Sequence, residues 1–116
     1  MTTLIEGKHT GEFILSEGNG TISREVVTII ANSGALVDGT VLGKITASGK
    51  YAPYNNAHSD GTDLAAGILY GNLPASTADQ KAVAFVRQCE VMSSALTGLD
   101  TPGTADLAAL SVIVRT

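Results

Sequence analysis

The 116-residue chain has no tryptophan and one cysteine, Cys89. A single thiol excludes an intrachain disulfide and fits a reducing compartment. The only aromatic side chains are Phe13, Tyr51, Tyr54, Tyr70 and Phe85. Aromatics supply the largest burial per residue and small domains bury a smaller share of their surface, so the core of an isolated chain is expected to be thin. Association with further copies of the chain is the natural remedy, because a partner that binds only the folded state stabilises it. Clustered positive charge is also missing: the net charge is -4 and the basic residues are scattered, which argues against nucleic acid as a partner. No run approaches the roughly 20 apolar residues of a membrane-spanning helix. The first residues lack the charged-then-apolar pattern of a signal peptide, so no leader is expected and the sequon at Asn19-Gly20-Thr21 is no argument for glycosylation.

What is present is short strands separated by turn residues. The chain is organised around residues 39–70, where Val41 to Thr46 is rich in strand-formers, Ser48-Gly49-Lys50 carries turn chemistry, and Leu64 to Tyr70 is a second apolar run. Two or three strands folded back on one another are expected there. Val26-Val27-Thr28-Ile29-Ile30 reads as a strand buried on both faces. Ala82 to Val86 reads as a strand continuing through Arg87, Gln88 and Cys89 to Val91, and Ser111 to Arg115 as a closing strand. Thr101-Pro102 predicts a short helix with Thr101 as its N-cap, running to about Leu110. The expected fold is therefore mostly β, with one or two short helices, in a single domain over residues 25–116.

Residues 1–24 are polar and glycine-punctuated, with one apolar island at Phe13-Ile14-Leu15, and read as an extended N-terminal arm. Two readings of that island stand. Asn19-Gly20 is a good two-residue turn that pairs Phe13 to Ser16 with Thr21 to Arg24. Alternatively, the segment is unpaired and becomes a strand only on meeting an exposed sheet edge of another chain.

No catalytic constellation emerges. His9 lies in the arm and His58 in a polar loop between Tyr51 and Leu64. His58-Ser59-Asp60 has the residue types of a hydrolytic triad, but adjacent side chains do not form its chain of hydrogen bonds. Asn55, Asn56, His58, Asp60 and Asp63 match neither calcium-loop nor zinc-ligand spacing. Cys89 alternates with Arg87 and Val91, which suits a small buried hydrophobe rather than an activated thiolate. Neither enzyme activity nor cofactor is expected.

The order and spacing of several segments match a known family. Gly11-Glu12-Phe13-Ile14-Leu15-Ser16-Glu17, Ser23-Arg24-Glu25-Val26-Val27-Thr28-Ile29, Gly39-Thr40-Val41-Leu42-Gly43-Lys44, Gly49-Lys50-Tyr51, Ala65-Ala66-Gly67-Ile68-Leu69-Tyr70, Lys81-Ala82-Val83 and Ile113-Val114-Arg115 carry the resemblance. On these residues the chain resembles the phage head decoration proteins, the family of the lambda head decoration protein D. The resemblance implies a β-clip-like cement protein, made in the host cytoplasm and carried on the outer surface of the virion head. It implies homotrimers at three-fold and quasi-three-fold sites of the expanded shell, clamping major capsid protein subunits against the pressure of packaged DNA. It further implies an arm that orders on docking and adds to a capsid sheet, at the positions matching Glu12, Phe13, Ile14, Leu15 and Ser16. Neither a membrane nor a small-molecule substrate belongs to that picture. The alternative reading is a small β-rich ligand-binding or accessory module whose site is lined by the Tyr51 to Asp63 loop.

Overall fold

A computed structural model describes residues 11, 13–18 and 22–116. It is mostly β, as expected. The elements in chain order are β1 (Ile14–Glu17), β2 (Arg24–Ile29), β3 (Val41–Lys44), β4 (Tyr51–Pro53), β5 (Ala65–Tyr70), β6 (Gln80–Phe85), β7 (Cys89–Met92), a 3-10 turn (Ser93–Ala95), α1 (Thr101–Ala109) and β8 (Val112–Arg115). Five strands close a barrel in the order β2-β4-β3-β5-β6, and the other three form a sheet in the order β1-β7-β8.

The organising stretch forms the expected strands. β3 pairs antiparallel with both β4 and β5. Their short apolar runs lack alternation because each strand separates two cores. Leu42, Leu69 and Ala84 point into the barrel with Val27, Ile29 and Tyr51. Val41, Ile68 and Phe85, their immediate neighbours in sequence, point outward into a second core with Phe13, Tyr54, Val91, Leu107 and Val112. Successive residues of a strand face opposite sides, so a strand buried on both sides needs apolar residues throughout. The three-stranded sheet and α1 cover the outer core.

Four local expectations are corrected. The Asn19-Gly20 turn and Thr21 lie outside the described residues, but the strands on either side are not hairpin partners: β1 pairs antiparallel with β7, and β2 pairs with β6 along its length. β2 is buried on one face only, with Val27 and Ile29 at 4% and 1% exposure and Val26 at 68%. Ala82 to Val91 is two strands, because Gln88 takes φ 53° and turns the chain out of the barrel into the second sheet. The cap of α1 is Asp100, whose carboxylate accepts from the Gly103 N–H, with Thr101 and Pro102 already inside the first turn.

Candidate functional site

β1 is an edge strand of the three-stranded sheet, and the outer face of that sheet is the candidate site. Cys89 and Val91 of β7 point inward, as does Val112 of β8, and all three are buried. By alternation Glu90 and Ile113, paired in register across the parallel β7–β8 ladder, point outward. Ser16 stands opposite Glu90 on the other side. The pairing of β1 with β7 slips between Ile14 and Ser16, leaving Leu15 at an irregularity of the edge, 52% exposed. Such irregularities re-aim a side chain.

A polar network occupies the middle of this face. The Ser16 hydroxyl donates to Glu90 Oε2 at 2.8 Å. Arg115 donates through Nε and Nη2 to Glu90 Oε1 at 3.1 and 2.7 Å. Hydrogen bonding from Arg115 first, then from Ser16, holds the Glu90 carboxyl below its ordinary range. Leu15 and Ile113 flank the network on β1 and β8, the latter 37% exposed. The face thus offers two apolar contacts around a charge pair whose geometry is already set.

Beneath it, β1 is fastened firmly. Phe13 is fully buried and meets the Phe85 ring edge-on at 5.7 Å. Its carbonyl accepts from the Met92 N–H at 2.7 Å. Ile14 packs against the outer core. Arg24 donates twice to Glu17, at 3.1 and 3.0 Å, while its guanidinium lies over Tyr70 at 4.7 Å. The Glu17 hydrogen bond raises the Arg24 pKa.

The five residues matched to capsid docking therefore separate by position. Phe13 and Ile14 belong to the fold, Leu15 and Ser16 lie on the exposed edge, and Glu12 is outside the described residues. Glu90 and Arg115 were not singled out in the sequence. The available signal was the alternation of Cys-Glu-Val-Met and Val-Ile-Val-Arg, which exposes those two charges on adjacent strands.

The polar loop is stitched to itself. The Thr62 hydroxyl donates to Asp60, so the His58 Nδ1 donates to Thr62 Oγ1, at 2.8 Å. Asn55 accepts from the Ala57 N–H at 2.9 Å and Asp63 from the Gly61 N–H at 3.2 Å. These contacts tie His58, Asp60 and Thr62 together and engage one side-chain oxygen each of Asn55 and Asp63. Two surface clefts lie elsewhere, one at Asn32, Gly34, Ala75, Ser76 and Thr77 and one at Arg24, Glu25, Val26 and Val83. Among the described residues no group of three or more His, Cys, Asp or Glu side chains is arranged to hold a metal ion. Burial, with a smaller contribution from Glu17, pushes the Cys89 thiol up to about 11.

Among curated proteins none matches the chain. A family model does, the one described as bacteriophage lambda head decoration protein D, over residues 3–112. The match takes in β1 to β7, the helix and the first residue of β8, and so the chain belongs to the bacteriophage lambda head decoration protein D family.

Proposed function

We propose that the protein is a structural, non-catalytic decoration protein of a phage head. It binds the capsid from outside as homotrimers at three-fold and quasi-three-fold sites of the expanded shell and stabilises it against internal DNA pressure. The observation that carries this reading is the family match over residues 3–112. The major capsid protein is the partner, and the protein is made in the host cytoplasm before it reaches the virion surface.

In this reading the N-terminal arm docks, and residues 12–16 divide the work. Phe13 and Ile14 hold β1 on the barrel, while Leu15 and Ser16 present its free edge to a capsid strand. Main-chain pairing along an exposed edge supplies affinity, and the flanking side chains supply selectivity. Three such edges on one trimer engage together, so modest single-site affinity becomes strong avidity. Val26, 68% exposed beside Val83 on the barrel wall, gives self-association an apolar surface.

The test is titration of purified protein onto expanded heads lacking decoration and onto unexpanded proheads, followed by sedimentation. Saturable binding to expanded heads alone, in multiples of three copies per site, is expected, with greater resistance of the heads to heat. A protein that stays monomeric by light scattering and ignores expanded heads of its own phage overturns the reading.

A further inference from the structure

Asp38, in the connection between β2 and β3, is only 3% exposed, and capsid docking as described above makes no use of it. Its carboxylate accepts two backbone N–H groups, from Gly71 to Oδ1 at 2.7 Å and from Gly11 to Oδ2 at 2.9 Å. Its own N–H donates to Asn72 Oδ1 at 2.7 Å. A buried carboxylate is costly unless hydrogen bonds stabilise it, and bonds to a charged acceptor are about twice as strong as neutral ones. Asp38 therefore ties the end of β5 to the first described residue of the N-terminal segment.

Gly11 is gripped from the other side as well. It has φ +78°, and a Cβ there would come within 2.8 Å of Tyr70 Cε2, so the backbone rests against that ring. The Gly11 carbonyl accepts from the Ile14 N–H at 3.0 Å, closing a turn into β1. Tyr70 in turn packs edge-on against Phe85, the ring that also receives Phe13. A buried charge, an aromatic face and a turn together hold Gly11 in place on the domain.

We infer that Asp38 is a positioning residue for docking: it clasps Gly11 so that residues 1–10 start from a preset point beside Tyr70. The inference rests on the reading that the N-terminal segment docks on the capsid. Only clasped segments are competent, so apparent affinity falls in proportion to the clasped fraction, and three arms compound the loss.

Three variants test it, each read by amide hydrogen exchange and by titration onto expanded heads. Asp38→Asn keeps an oxygen for Gly71 but turns an NH2 toward the Gly11 N–H. Gly11→Ala pushes against Tyr70 without touching the Asp38–Gly71 bond, and a deletion of residues 1–10 removes the segment itself. In Asp38→Asn the Gly11 amide is expected to exchange at least about tenfold faster, the loss of one charge-assisted bond, while the buried Leu69 amide is unchanged. Head affinity falls at least tenfold in both point variants and further in the deletion. Unchanged Gly11 exchange in Asp38→Asn overturns the clasp. Normal head affinity in both point variants, with binding lost in the deletion, shows that the segment docks without being positioned by Asp38. Normal affinity in the deletion shows that residues 1–10 take no part in docking and overturns the inference, while leaving the proposed edge at Leu15 and Ser16 standing.

Discussion

Phe13 shows how one side chain changes the meaning of a segment. Its ring is fully buried against Phe85, so it serves the fold before it serves any partner. Phe13→Ala is expected to destabilise the protein by about 3 to 5 kcal/mol in a urea titration, the usual cost of removing a buried ring. Tyr54 makes a different kind of contribution. Burial first, and then its hydrogen bond to Asp100 at 2.6 Å, push the hydroxyl from 10.0 up to about 12. Because the folded-state value is the higher one, the stabilisation is complete below pH 10.0 and is lost as pH rises toward 12. Denaturation midpoints measured from pH 9 to 12 should fall, and Tyr54→Phe should flatten part of that fall, Tyr51 and Cys89 being shifted in the same direction. Cys89 is 4% exposed and its thiol rises from 9.0 to about 11, so at pH 8 the thiolate is about a hundredfold scarcer than in the unfolded chain. Iodoacetamide labelling of the native protein at pH 8 should lag the urea-unfolded protein by at least that factor.

At the scale of the elements, β3, β5 and β6 are recognisable in the sequence because each is apolar on both faces, and the outer layer makes that necessary. β3 and the polar loop meet closely, and a Cβ on Gly43 would come within 2.5 Å of the Thr62 backbone. Gly43→Ala is expected to cost about 1 to 3 kcal/mol by overpacking, read from the thermal or urea midpoint. The sequence locates helix α1 to within a residue but not its cap. Asp100 both accepts from the Gly103 N–H at 2.7 Å and receives the Tyr54 hydroxyl, a tertiary contact with no local signature. Asp100→Ala therefore removes a cap and leaves a buried hydroxyl without its partner, for a loss of about 2 to 4 kcal/mol. A double-mutant cycle with Tyr54→Phe should show strong coupling, whereas additive losses would mean the two contacts act independently. The break between β6 and β7 was equally hidden. Gln88 is an ordinary residue in an unfavourable conformation, held there because its carbonyl accepts from Gly18 N at 3.0 Å and from the Ser23 hydroxyl at 2.7 Å.

For the molecule as a whole, the outer face of the β1-β7-β8 sheet is where stability and the proposed docking separate. Leu15 is half exposed, so Leu15→Asp should change stability by no more than about 0.5 kcal/mol. The proposed docking edge predicts that the same substitution weakens binding to expanded heads severalfold or more in a sedimentation titration. Arg115→Ala breaks a pair with Glu90 that is solvent-exposed, with an expected stability change of under about 1 kcal/mol. The sequence by itself determined the mostly β class, the single helix and the family, because strand-forming runs, turn residues and the order of short motifs are local properties of the chain. It also predicted a thin core that associates with copies of itself, a reading that awaits the light-scattering test. Only the tertiary structure decided that Ile14 to Glu17 is a strand on β7, that Val26 faces outward, and that Glu90, Arg115 and Ser16 meet on one surface. Each of those depends on contacts between residues far apart in the chain, and periodicity reports which residues share a face but not what that face is pressed against.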